Sequence, residues 1–194
     1  MKFRRLLILL ASACVAQTAN AHTGFHPVEG WASGFAHPWS GLDHLLAMVG
    51  VGLWAVFATP GSRRLWLLPS AFMAAMVLGG VLGAAGLSGA SVEYGVAASV
   101  LLLGLMVAGK VRLSSPVAAA LAGLFALFHG AAHGAEMGQG TVFLPYALGF
   151  VCATGLLHGV GILLGRRLLP VAAAYRASGL VIGGVGLFLL LQAA

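Results

Sequence analysis

The chain has 194 residues, of which 60% are hydrophobic and only 7% are charged. Soluble domains typically carry about 25% charged residues, so this composition excludes a water-soluble globular protein and predicts an all-α bundle of membrane-spanning helices. The formal net charge of +6 does not indicate a nucleic-acid partner, because three of the ten basic residues stand in the first five positions and the others lie in or beside short loops.

Residues 1–21 have the three parts of a cleavable signal peptide. Basic residues open the segment, an apolar run too short to span a bilayer follows, and Ala19-Asn20-Ala21 has the A-x-A pattern that precedes cleavage. Cleavage there predicts a mature domain of residues 22–194 that begins at His22. A terminal amine and its own imidazole can chelate a metal together, so His22 and the nearby His26 are secondary candidates for metal ligands.

Six apolar segments follow, and each is long enough, or nearly so, to cross about 30 Å of hydrocarbon. The spans are predicted at about 38–58, 65–86, 92–109, 114–135, 141–164 and 172–192. The first span is predicted to begin at Pro38, since proline is tolerated in the first helical turn. Six spans form two halves that run in opposite senses, which permits an inverted-topology repeat.

The loops predict the orientation of these spans. Every basic residue of the predicted mature chain lies in or beside the loops after spans one, three and five, namely Arg63, Arg64, Lys110, Arg112, Arg166, Arg167 and Arg176. The positive-inside rule makes that side cytoplasmic. Both termini of the mature protein are therefore predicted to lie in the periplasm, on the outer face of a bacterial inner membrane.

A first polar cluster lies near the start of span one. Asp43 and His44 lie about 8–10 Å from the predicted start at 1.5 Å per residue, and Met48 follows one turn later. A carboxylate at the centre of a membrane helix costs about 2.5–3.5 kcal/mol, so Asp43, although nearer one end, predicts a cationic partner. The alternative is that Asp43 caps or hydrogen-bonds neighbouring helices.

A second polar cluster ends span four. His129 and His133 are four residues apart and share a helix face, which Glu136 continues. Because span one enters from the outside and span four leaves towards it, the two clusters lie at similar depth and converge if these helices touch. Imidazole and carboxylate ligands suit nickel, cobalt, zinc and copper, and interhelical hydrogen bonding is the alternative.

One further histidine lies in span five. His158 is about 24 Å from the outer end of that span by the same rise per residue. Two interpretations stay open for this side chain. It is either a second station on a path inward or a partner in an interhelical hydrogen bond.

Two longer motifs surround these side chains. His37 to Gly52 has the pattern HPxxGxDHxxxMxxxG, and Phe128 to Glu136 has the pattern FHGxAHGxE. Both motifs resemble those of the HupE/UreJ family, hydrogenase/urease accessory proteins regarded as nickel or cobalt permeases. The resemblance covers essentially the whole chain. The resemblance implies that the candidate ligands are His37, Asp43, His44, Met48, His129, His133 and Glu136.

The same resemblance defines the expected substrate and partners. It implies a transported Ni²⁺ or Co²⁺ rather than a permanently bound cofactor. The expected surroundings are the lipid bilayer, and the candidate protein partners are metallochaperones of hydrogenase or urease maturation. A permease of this kind is not an enzyme.

Two other classes compete with the permease interpretation. An intramembrane zinc hydrolase would use Asp43, His44, His129 and His133 around a zinc ion with an open position for water. A b-type haem protein would use axial histidines from separate helices. Stoichiometric, tightly bound zinc would favour the hydrolase, and a Soret band would favour the haem protein.

Overall fold

The computed structural model describes residues 30–59, 64–137 and 141–193. A short helix α1 (Trp31–Ala36) leads into a 3-10 turn, His37–Trp39, and six longer helices follow. They are α2 (Leu42–Ala58), α3 (Leu67–Ala84), α4 (Ala90–Gly109), α5 (Ser115–Ala135), α6 (Phe143–Leu168) and α7 (Ala172–Ala193). The predicted signal peptide (residues 1–21) lies outside the described residues, and so do His22 and His26.

Helices α3 to α7 are each long and apolar enough to cross a membrane. A sixth span is obtained if Trp31–Trp39 and Leu42–Ala58 are counted as one bent segment. The prediction of an all-α membrane bundle is therefore confirmed. The ends of α3 to α5 lie within two residues of the predicted bounds, whereas α6 continues to Leu168, four residues beyond its predicted end.

The first span differs from the prediction at its start. The chain bends by 83° between the 3-10 turn and α2, so no continuous helix runs from Pro38. Pro38 lies within the 3-10 turn, and Gly41 has an extended backbone with φ −101° and ψ 124°, which delays the α-helix until Leu42. Asp43 and His44 consequently lie in the first turn of α2 instead of more than one turn below its start.

Three helix pairs make the closest interfaces: α2 with α6, α3 with α5, and α4 with α7. Each interface has a glycine where a β-carbon would overlap the partner backbone: at Gly52 against His158, at Gly130 against Met76, and at Gly104 against Gly183. Lipid provides no hydrophobic drive for helix association, so close backbone packing holds such pairs together. The α3–α5 interface thereby determines the depth of the α5 histidines.

The pairing has the exchange symmetry that an inverted repeat requires. In such a repeat, spans one, two and three (α2 to α4) exchange places with spans four, five and six (α5 to α7). The exchange converts a pair of spans one and five into a pair of spans four and two. The third–sixth pair maps onto itself. The observed pairs α2–α6, α3–α5 and α4–α7 follow this rule.

The end of the bundle formed by the C-terminal ends of α2, α4 and α6 carries the basic residues of the described ranges. There the Trp54 Nε1 group donates to the carbonyl oxygen of Val111 at 3.0 Å. The Arg112 guanidinium lies 4.6 Å from the centre of the Phe57 ring. These contacts tie the short basic loop after α4 to the end of α2. The opposite end, where α2 begins and α5 ends, is called the site end below.

Candidate metal centre

Six of the predicted ligands converge at the site end of the bundle. The 3-10 turn provides one, the first turn of α2 two, the last two turns of α5 two, and the residue after α5 the last. This set is called the histidine cluster and consists of His37, Asp43, His44, His129, His133 and Glu136. The i, i+4 spacing on α5 directs both of its histidines to the same side, as the sequence predicts.

The more exposed part of the cluster joins His37, His133 and Glu136. Single ligand atoms of these three side chains all lie within 4.8 Å of one another. His37 Nε2 donates to Glu136 Oε2 at 3.1 Å, and His133 Nδ1 lies 3.8 Å from the same oxygen. The hydrogen bond from His37 lowers the pKa of Glu136 below its ordinary value, against the opposing effect of burial, so this carboxylate is ionised at neutral pH.

The deeper part of the cluster centres on His44. Its ring centre lies 4.0 Å from that of His133, and its Nε2 atom lies 3.6 Å from Asp43 Oδ2. On the other side of the ring, His44 Nδ1 is hydrogen-bonded to His129 Nδ1 at 2.9 Å. The second nitrogen of His129 is hydrogen-bonded to Ser99 Oγ at 2.8 Å. Helices α2, α4 and α5 are thus connected through polar side chains.

His133 is a member of the cluster whose hydrogen bonding is incomplete at both ring nitrogens. Both of its ring nitrogens are buried, and neither has a hydrogen-bond partner among the described residues. Leaving a buried polar group unsatisfied costs about 1–3 kcal/mol. A cation held beside His37, His44 and Glu136 would give one nitrogen a partner, because a ring nitrogen without a proton is a metal ligand.

A cavity of about 280 Å³ opens beside the cluster. Its wall includes Asp43, Glu93 and Glu136, which are three of the four carboxylates in the sequence, together with His44 and Gln192. A cleft lined by one sign of charge raises the local concentration of counter-ions. Glu93 lies in the first turn of α4, where the helix dipole also favours an acid.

Two predicted ligands lie outside the cluster. Met48 is fully buried in the hydrophobic core, one turn along α2 from His44. His158 is also fully buried, and neither of its ring nitrogens has a hydrogen-bond partner among the described residues. The Phe72 ring is close both to His158 and to the histidine cluster. Its centre lies 5.2 Å from that of His158 and 5.9 Å from that of His129.

Ser99 and Phe72 were not predicted as part of the site. Each is a single residue within an apolar span and belongs to no motif or spacing that would distinguish it from packing residues. The one available signal for Ser99 is general: a serine in a membrane helix tends to hydrogen-bond across helices.

Comparison with known proteins identifies the family. The chain matches the HupE / UreJ protein family over residues 9–189. It is 44% identical over 162 residues to Protein HupE of Rhizobium leguminosarum bv. viciae, which covers 84% of this chain and 83% of that protein. No solved structure matches significantly.

The match decides between the classes left open by the residues alone. HupE/UreJ proteins are transporters or accessory proteins and not enzymes, so the zinc hydrolase alternative is wrong. The family resemblance carried by the two motifs is confirmed. This chain is therefore a multi-pass membrane protein that belongs to the HupE/UreJ family, a family of nickel and cobalt transporters.

Proposed function

We propose that the chain is a permease that imports Ni²⁺ or Co²⁺ across the bacterial inner membrane and that the ion is bound within the histidine cluster by His37, Asp43, His44, His133 and Glu136. The observation that carries the proposal concerns the two buried ring nitrogens of His133, which have no hydrogen-bond partner within the described part of the chain and lie among His37, His44 and Glu136. Imidazole and carboxylate ligands together suit these metals. An ion at this position would satisfy a ring nitrogen of His133 that has no hydrogen-bond partner among the described residues.

The exposure of the ligands suggests an order of binding. Glu136 and His37 have side chains that are 56% and 27% exposed, so they meet the hydrated ion first. His133 is shared between them and the deeper ligand His44, beside which Asp43 lies. The negative charge of Asp43 offsets the loss of hydration as the ion enters the bundle. His158 then serves as a second binding site, further along the path of the ion, once the Phe72 ring moves aside.

The membrane potential is sufficient to drive import without a pump. An inside-negative potential favours the entry of cations by about 2.3 kcal/mol per charge for each 100 mV, and this gain doubles for a divalent ion. Metallochaperones of hydrogenase or urease maturation would trap the ion in the cytosol. The ion is thus proposed as the transported substrate and not as a permanent cofactor.

The function is tested by uptake of radioactive nickel into cells that lack other nickel and cobalt importers. Cells that produce the protein should accumulate nickel well above cells with an empty vector, and an excess of cobalt should reduce this uptake. The purified protein should bind nickel in an exchangeable form. Uptake equal to the empty vector at a normal membrane level of the protein would contradict the proposal.

The orientation is a separate prediction. The basic residues that the structure describes lie at the end of the bundle opposite the histidine cluster, so the positive-inside rule predicts a periplasmic cluster and a periplasmic C-terminus. Alkaline phosphatase fused after Ala194 should be active, whereas the same enzyme inserted between Lys110 and Arg112 should be inactive. The reverse pattern of activities would overturn the assignment.

A further inference from the structure

We infer that His129 is a positioning residue that holds His44 in the tautomer needed to bind metal, and that His129 is not itself a ligand. The inference rests on the proposed metal site. Both ring nitrogens of the fully buried His129 are already used within the protein, Nε2 with Ser99 Oγ at 2.8 Å and Nδ1 with His44 Nδ1 at 2.9 Å. No lone pair of this ring is free for an ion.

The direction of these hydrogen bonds follows from the Val96 carbonyl group, with which the series of hydrogen bonds ends. Ser99 Oγ lies 2.7 Å from the carbonyl oxygen of Val96, which can only accept, so the single hydroxyl proton is donated there. Ser99 Oγ therefore accepts a proton from His129 Nε2. A neutral imidazole has one N–H, so His129 Nδ1 carries a lone pair and accepts from His44 Nδ1.

These hydrogen bonds determine the protonation of His44 Nε2, the ring nitrogen on the side away from His129. This Nε2 atom has no proton in this arrangement and presents its lone pair towards Asp43 Oδ2 at 3.6 Å. Two acceptors that face each other repel unless a cation lies between them. The chain of hydrogen bonds from Val96 through Ser99 and His129 to His44, called the relay below, thus prepares a nitrogen and a carboxylate for metal.

The reverse direction of the relay fits the distances less well. Ser99 would then donate to His129, and the last proton would be His44 Nε2–H, directed at Asp43. The 3.6 Å separation between these atoms is too long for a hydrogen bond. The short contact between Ser99 Oγ and the Val96 carbonyl would also have no proton to share. The observed distances therefore favour the direction that leaves His44 Nε2 free.

The relay acts on His44 in the same way as the residues that hydrogen-bond to metal ligands in other metal sites. A histidine ligand usually donates its other ring N–H to an acceptor, which fixes the tautomer and the ring orientation, and loss of that acceptor typically lowers metal affinity or activity about 10–100-fold. Here the acceptor is a second histidine whose own N–H is satisfied by α4. Ser99 therefore influences metal binding although it contacts no ion.

The first test determines the tautomers in the full-length protein without metal. Nitrogen NMR of protein labelled with ¹⁵N-histidine distinguishes protonated from unprotonated ring nitrogens, and single histidine variants assign the signals. We expect a proton on Nδ1 of His44 and on Nε2 of His129. A proton on Nε2 of His44 would overturn the inference. This result does not depend on transport, so it separates failure of the relay from failure of the permease proposal.

The second test separates a positioning residue from a ligand by nickel binding to the purified protein. His129→Asn keeps an acceptor near the position of Nδ1 and should bind nickel nearly as well as the wild type. His129→Leu removes the acceptor and should bind about 10–100-fold more weakly. X-ray absorption should count the same number of imidazole ligands in His129→Asn as in the wild type. Equal losses in both variants, with one imidazole fewer, would identify His129 as a ligand.

A matched pair at Ser99 covers the case in which His129→Leu does not fold. Ser99→Thr keeps the hydroxyl group and should preserve nickel affinity. Ser99→Ala leaves the Nε2–H group of His129 without an acceptor and should weaken binding about tenfold, the lower end of the range for such partners. Wild-type affinity in Ser99→Ala would contradict the relay.

Discussion

Replacing Asp43 by asparagine is expected to abolish nickel uptake while the protein still inserts into the membrane. The amide has the shape of the carboxylate but lacks the charge that offsets a desolvated cation beside His44 Nε2, 3.6 Å away. Loss of a supporting residue costs up to about 100-fold in metal affinity, and loss of a charged ligand should cost at least as much. The measurement is radioactive nickel uptake normalised to the amount of protein in the membrane, with Asp43→Glu as the variant that retains the charge.

The same experiment includes a matched pair of histidines. His133 and His158 are both buried, and both have ring nitrogens without a partner among the described residues, but only His133 belongs to the cluster. His133→Ala should lose nickel binding together with uptake. His158→Ala should keep binding at the cluster and transport more slowly. If Asp43→Asn and His133→Ala both transport at the wild-type rate, the shared site does not exist.

The second large effect is expected for Gly130→Ala. Gly130 follows His129 on α5, and a β-carbon there would overlap the carbonyl oxygen of Met76 on α3. Backbone atoms cannot move aside as a flexible side chain can, so α3 and α5 would have to separate along the interface that positions His129 and His133. Overpacking typically costs about 1–3 kcal/mol, and this variant should lie at or above the top of that range.

The outcome is measured as the yield of monodisperse protein after extraction and as its thermal stability. The control is Gly184→Ala on α7, where an added β-carbon meets nothing within 4 Å among the described residues outside the adjacent backbone of its own helix. Both variants make the same chemical change in a membrane helix, so only the α3–α5 contact distinguishes them. Equal stability of the two variants would mean that this close approach is not required for the fold.

Much of the architecture could be predicted because it depends on local chemistry. The bilayer requires long apolar segments, so hydropathy located the helices, and the bounds of α3 to α5 came out within two residues. The i, i+4 spacing of His129 and His133 determined their shared face before any tertiary contact was known. The bend before α2 was not predicted, since Pro38 is compatible with a helix start and the extended backbone at Gly41 has no unique signal.

The sequence by itself determined that this is a membrane bundle of the HupE/UreJ family and which polar side chains its two motifs bring to one end. Only the tertiary structure decided how those side chains are joined. The packing of the helices puts Ser99 beside His129 and Glu93 on the cavity wall, and no spacing along the chain encodes either contact. Sequence patterns report the periodicity of one helix, whereas hydrogen bonds between helices depend on register and rotation, which packing sets.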